Sequence, residues 1–474
     1  MQQHARQKLF LEGPIGTALF RLAVPIILAN VLQTAYQLTD AFWVGRLGAS
    51  AVAAVSISFP VTFLVIAMGS GLGIAGATLS AQYMGAGKQE MVNHVAAQTM
   101  LMVFLTSVVL GTAGYMIAPH LLHWMGGDGN VYRDALAFMR VSFVGIIFVF
   151  LFAMFQALMR GIGQTTVPLF IVLGTVLLNI VLDPLFIFGW GPIAEQGVRG
   201  AALATLSTQG IAALLGMWVF VRGQNGIKLQ LRDFKPDFPY IKRAFLLGAP
   251  GSVELSTRAL GLIVLSFLVA SFGTVTIASY GVGANVLQFV MIPAMGLSMA
   301  VSTLVGQNIG AGNAARAQKI AILGAAWGCA ILSAVGVIAY FIAPQIVAFF
   351  VPDDPEVIAH GAEFIRVMCL AWGGLGIQLC MVATFRASGN LLISMVIALL
   401  SQWVLQFPLA YILSKHTPLE ANGIWWSFPV MHIVMAIVAM GWFMHGGWKE
   451  TRLTDEDRQI RKVTEETIVE DGLR

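Results

Sequence analysis

The sequence predicts an all-α polytopic membrane protein of twelve transmembrane helices arranged as two pseudo-symmetric six-helix lobes. Three observations carry this: an apolar composition, twelve stretches of spanning length, and an internal repeat at an offset of 225 residues. Of the 474 residues, 58% are hydrophobic and 11% charged, whereas a soluble domain carries about a quarter charged residues. A membrane-spanning helix needs roughly 20 mainly apolar residues. Short polar breaks divide the chain into such stretches near 17–44, 51–80, 93–118, 132–158, 165–190, 199–221, 239–270, 275–306, 317–346, 357–384, 391–414 and 423–446.

The first stretch is long, lacks a small-residue cleavage site and is followed by further spans, so it reads as an uncleaved helix. Cys329, Cys369 and Cys380 all fall inside spans without metal-ligand spacing, which predicts buried, inert thiols. The net charge of +4 is concentrated in loops, which fits membrane orientation and not nucleic-acid binding. With the N-terminus inside, the cytoplasmic segments hold Arg6, Lys8, Lys88, Arg160, the central loop with Arg222, Lys228, Arg232, Lys235, Lys242 and Arg243, then Arg316, Lys319, Arg386 and the tail. The opposite loops hold Arg46, Arg133, Arg199 and Lys415. The positive-inside rule then predicts an even number of spans with both termini cytoplasmic, in a bacterial inner membrane.

At the 225-residue offset Leu22 falls on Leu247, Pro25 on Pro250, Gly48 on Gly273, Gly71-Leu72 on Gly296-Leu297, Thr78 on Thr303 and Gln82 on Gln307. Gly85-Ala86-Gly87 falls on Gly310-Ala311-Gly312, and with one residue of slippage Arg160-x-x-Gly163 falls on Arg386-x-x-Gly389. Six spans per half give both halves one orientation, an arrangement that places a substrate site between parallel repeats. The predicted division is an N-terminal lobe over 1–221, a cytoplasmic linker over 222–243, a C-terminal lobe over 244–446 and a charged cytoplasmic tail over 447–474, a solvated helix or disordered. Glycines such as Gly69, Gly71, Gly73 and Gly76 read as close-packing positions.

The departures from symmetry are more informative. Asp40 falls opposite Leu265 and, with one residue of slippage, Asp183 falls opposite Leu409, so the first half alone keeps these deep acids. A carboxylate inside a span costs a few kcal/mol unless paired, wetted or protonated, and marks a functional site by default. Gln33, Tyr36, Gln37 and Asp40 share one helix face, and Thr175, Asn179 and Asp183 repeat at four-residue spacing. Pro184 lacks an N–H and leaves the Ile180 carbonyl without its helical partner. Thr205 lies about two turns into the sixth span, at a similar level. Oxygen ligands of this kind suit Na⁺, and in a cavity of low dielectric H⁺ competes for the same carboxylates. The sequence leaves the ion open. Interhelical hydrogen bonding is the rival reading, weightier for Thr205, Gln33 and Gln37 than for the acids.

Glu254 stands four residues before Arg258, and Glu363 three before Arg366; both read as structural ion pairs. Gly85-Ala86-Gly87-Lys88-Gln89 has a glycine–lysine pair, but Gln82 and Gln89 occupy places where a P-loop needs glycine and Ser/Thr. No hydrolase triad or metal-ligand spacing appears among the eight histidines. The reading is therefore a transporter driven by an ion gradient, with no enzyme activity and no organic cofactor.

Taken together these residues resemble the MATE (multidrug and toxic compound extrusion) family over nearly the whole chain. Leu38-Thr-Asp-Ala-Phe-Trp-Val-Gly-Arg-Leu-Gly48, Met159-Arg-Gly-Ile-Gly163, Asn179-Ile-Val-Leu-Asp-Pro184 and Gly200-Ala-Ala-Leu-Ala-Thr205 carry the resemblance, and the paired acids resemble its DinF-like branch. The resemblance implies the MATE/MOP-type fold and a coupling site for H⁺ or Na⁺ at Asp40, Asn179, Asp183 and Thr205. Pro25 would be the hinge of the first helix, while Gln33, Tyr36, Gln37 and Thr175 would line the substrate cavity. Organic, often cationic drugs would be the substrates and membrane lipids the surroundings, with no nucleic acid; both lobes in one chain let a monomer suffice. The departures from the NorM-like pattern, Glu254 near but not at its C-terminal acid and no deep acid in the tenth span, favour the N-terminal lobe. The main rival is a flippase for a lipid-linked precursor, which calls for basic residues in its cavity. A channel would not need a six-plus-six repeat, and a structural or signalling role would not need the acids.

Overall fold

In the computed structural model, residues 2–124, 129–191, 194–449 and 451–454 are described. The charged tail beyond Thr454 lies outside them. Among these residues the regular elements are helices, the α-helices being α1 (Gln2–Leu11), α2 (Ile15–Arg46), α3 (Ala49–Gly85), α4 (Gln89–Trp124), α5 (Gly129–Gly161), α6 (Thr166–Phe188), α7 (Val198–Arg222), α8 (Phe238–Ala270), α9 (Thr274–Gly310), α10 (Ala314–Phe341), α11 (Ala343–Phe350), α12 (Pro355–Cys369), α13 (Trp372–Ala387), α14 (Leu391–Leu399), α15 (Phe407–Lys415) and α16 (Ala421–His445). A π-helical stretch, Leu400–Gln406, joins α14 to α15 as one span. Helices are the expected form, because a lipid-exposed chain must satisfy each backbone N–H and C=O within its own segment. Among the described residues, eleven spans are long and apolar enough to cross a membrane, and the bent pair α12–α13 makes a twelfth. The chain is a multi-pass membrane protein.

The structure modifies several expected elements. The stretch near 357–384 breaks into α12 and α13 with a bend of 51°, just before the point where Gly376 meets the backbone of Gly328 on α10. Helix α10 ends at Phe341 and is followed by the separate α11. Helix α8 begins at Phe238, inside the expected linker. The rest of that linker is docked on α4: the buried Gln98 donates from Nε2 to the carbonyls of Asp233 (2.9 Å) and Lys235 (2.7 Å) and accepts from the Asp237 N–H at 3.1 Å. Asp237 in turn caps α8 by accepting from the Tyr240 N–H.

The fold separates into two compact units, one of Met1–Ala23, Thr78–Lys88 and Thr257–Arg474, the other of Val24–Ala77 and Gln89–Ser256. The start of α2 and the end of α3 fall in the unit that holds most of the second repeat. Within the first unit, a Cβ on Gly85 would fall on the Gln307 carbonyl oxygen, and one on Gly310 would fall on that of Gln82. These two contacts are related by the repeat offset of 225 residues, so the matched glycines exist to let backbone meet backbone. Gln82 also donates to the Ala387 carbonyl at 2.8 Å. The same unit holds an apolar core of Leu265, Val269, Val286, Phe364, Trp425 and Phe428, with Phe364 packed 4.1 Å from Trp425. All three cysteines are free, Cys369 and Cys380 buried and Cys329 half-buried. Glu363 and Arg366 do not pair: each is exposed and has a separate partner, Asn422 Nδ2 for Glu363 and the Tyr340 carbonyl for Arg366.

Candidate ion and substrate site

The second unit brings α2, α6 and α7 together around four polar side chains. The Thr205 hydroxyl on α7 donates to Asp40 Oδ2 on α2 at 3.3 Å. Asn179 Nδ2 donates to Asp183 Oδ1, one turn along α6, at 3.0 Å. The Asp40 carboxylate lies within reach of both Asp183 and Asn179. Two carboxylates this close tolerate one another only with a proton or a cation between them.

Three oxygens at this point are buried without a hydrogen-bond partner among the described residues: Asp40 Oδ1, Asn179 Oδ1 and Asp183 Oδ2. Buried polar atoms are almost always satisfied, so three orphaned acceptors from two helices form an oxygen-rich socket. Its donor set fits a proton or a hard cation such as Na⁺. Pro184 continues inside α6 and withholds its donor from the Ile180 carbonyl, adding acceptor character to the same turn.

The remaining sequence candidates divide. Tyr36 is buried, its hydroxyl 2.6 Å from Thr208 Oγ1, and it belongs to the cluster. Thr208 has backbone acceptors in Ala204 and Thr205 for its own proton, so Tyr36 is the donor to it. Sequence reading passed over Thr208, although Thr205-x-x-Thr208 puts both hydroxyls on one face of α7. Thr175 is buried but donates to the Val172 carbonyl of its own helix. Gln33 is half-buried and Gln37 exposed, so neither joins the carboxylates. Pro25 sits inside α2, where it leaves the Arg21 carbonyl without a helical donor. Glu254 is fully buried in α8.

The repeat supplies an internal control. Leu265, the counterpart of Asp40, is buried in the apolar core of the other unit. The polar socket is therefore a feature added to one copy of a shared scaffold, and not a requirement of the scaffold.

Eleven spans and a bent twelfth among the described residues, together with a close pair of acids inside them, have the build of a membrane transporter. The chain belongs to the MATE family: the MatE family model matches residues 25–185 and again 250–412, two matches that begin 225 residues apart, at Pro25 and Pro250. It is 31% identical to "Probable multidrug resistance protein YoeA" of Bacillus subtilis, over 91% of this chain and 94% of that protein. It is 24% identical to the "FAD transporter" of Shewanella oneidensis, over 90% of this chain and 94% of that one. Among solved structures, it matches a MOP-superfamily transporter of Pyrococcus furiosus, described as having a binding pocket whose reverse polarity suggests a different function. That match has a TM-score of 0.86 and 25% identity, covering 94% of this chain and 98% of that one.

Proposed function

We propose that the chain exports organic, often cationic, drugs in exchange for H⁺ or Na⁺ by alternating access across a bacterial inner membrane. Residues 1–221 and 244–446 act as the two moving lobes, and both termini are cytoplasmic. The observation that carries this reading is the cluster of Asp40, Asn179 and Asp183, whose three orphaned acceptor oxygens are buried. Asp40, Asn179, Asp183 and Thr205 hold the coupling ion.

Coupling follows from charge. A cationic drug is attracted by ionised carboxylates, and a bound proton or Na⁺ removes that attraction, so drug and ion weaken each other's binding. Pro25 gives α2, which carries Asp40, a point at which to bend. The multidrug resistance relative favours drug export over flipping of a lipid-linked precursor, and so do deep charges that are acidic at this site.

The test uses the purified chain in proteoliposomes loaded with ethidium. An imposed pH or Na⁺ gradient, applied separately, is expected to drive ethidium movement under one of the two. Movement at the same rate with no gradient would contradict the antiporter reading.

A further inference from the structure

Away from the acidic site, α4 and α5 carry a guanidinium that the transport reading does not use. Arg140 lies on α5, and its Cζ stands 5.1 Å from the centre of the Tyr115 ring on α4. Its Nε is buried with no hydrogen-bond partner among the described residues, and Tyr115 is exposed. The arrangement is built in. Gly111 and Gly114 on α4 leave a notch that a Cβ at either position would close, because Phe143 occupies it with its backbone and ring. Phe143 is itself buried and lies three residues after Arg140, so seating it fixes the rotation of α5 that brings Arg140 over Tyr115.

Depth identifies what Arg140 meets. Helix α5 has 33 residues and is about 50 Å long at about 1.5 Å per residue, against a hydrocarbon core of about 30 Å. Centred in the bilayer it projects about 10 Å at each end, and Arg140, about 16 Å from the Gly129 end, falls about 6 Å below the hydrocarbon boundary. A snorkelling arginine spans that distance to the phosphate layer. Trp124, 86% exposed at the neighbouring end of α4, marks the same level as an interfacial aromatic.

We infer that Arg140, held over Tyr115 by the Phe143 notch, binds the phosphate of an anionic phospholipid at the α4–α5 face. With both termini cytoplasmic, as proposed above, the lipid belongs to the outer leaflet; the binding itself does not depend on transport or on that orientation. Arginine suits the role because its planar fork meets a phosphate through two parallel hydrogen bonds.

The experiment is native mass spectrometry of the full chain released from nanodiscs of phosphatidylglycerol and phosphatidylcholine. Wild type is expected to retain phosphatidylglycerol about fivefold better than a folded Arg140→Gln variant, with phosphatidylcholine retention unchanged. Arg133→Gln, an exposed charge two turns nearer the helix end, is expected to stay within about twofold of wild type. Equal retention by Arg140→Gln, or an equal loss in Arg133→Gln, overturns the inference. So does displacement of the lipid by millimolar inorganic phosphate, which would make the ligand a soluble anion. Should Arg140→Gln fail to fold, Arg140→Lys keeps the charge without the fork and is expected to lose at least half the retention; full retention overturns the inference.

Discussion

Thr205 on α7 donates a hydrogen bond to Asp40 on α2 across 165 residues of sequence, at 3.3 Å. A bond to a charged acceptor contributes about 1.5–3 kcal/mol, and about 1.4 kcal/mol is tenfold. Thr205→Val, which keeps the shape and removes the donor, is expected to cut gradient-driven ethidium efflux about tenfold, and Thr205→Ser to restore most of it. Equal rates for Val and threonine would mean that the contact does not organise the site.

Pro25 interrupts the hydrogen-bond ladder of α2 fifteen residues before Asp40. Restoring that ladder stiffens the helix, since an interior proline costs about 3 kcal/mol relative to alanine. Pro25→Ala is expected to slow efflux severalfold while leaving drug binding, followed by fluorescence anisotropy, within about twofold. Wild-type efflux from this variant would remove Pro25 as a hinge.

The reciprocal contacts of Gly85 with Gln307 and Gly310 with Gln82 predict paired effects. Overpacking costs about 1–3 kcal/mol, so Gly85→Ala and Gly310→Ala are each expected to lower the melting temperature in detergent by similar amounts. Gly281→Ala, where a Cβ would meet nothing within 4 Å, is the control. A melting temperature for Gly85→Ala matching the control would contradict the packing account.

Gln98 spends both ends of its side-chain amide on the linker. Gln98→Leu strands two carbonyls and one N–H, each costing about 1–3 kcal/mol when left unsatisfied. Limited proteolysis is the readout: cleavage within 222–237 is expected to quicken several-fold in the variant. Unchanged cleavage would show that the linker docks without Gln98.

Much of this was legible in the chain. Apolar runs give the spans, the 225-residue offset gives the duplicated glycines, and four-residue spacing on α6 places Asn179 beside Asp183. What escaped was set by tertiary packing. The run 357–384 has spanning length and no proline, and its bend accompanies the close approach of Gly376 to Gly328 on another helix. The linker reads as polar, yet it buries Ile227 and Leu229, because Gln89 and Asn93 on α4 and the Phe220 carbonyl supply partners for the backbone around them. Gln37 shares a helical stripe with Asp40, but a stripe of four residues is wider than the face that α6 and α7 cover, and Gln37 falls on the exposed side. Tyr36 finds its partner in Thr208, which no local pattern in α2 foretells.

The central claim is that Asp40 and Asp183 couple the ion gradient to drug movement. Ethidium efflux should be measured in everted vesicles carrying wild type, Asp40→Asn or Asp183→Asn, under a pH gradient and, separately, a Na⁺ gradient. The account predicts efflux under one of the gradients in wild type and its loss, by at least about tenfold, in both variants with their membrane abundance unchanged. Efflux at the wild-type rate in both would contradict it and remove these acids from the mechanism.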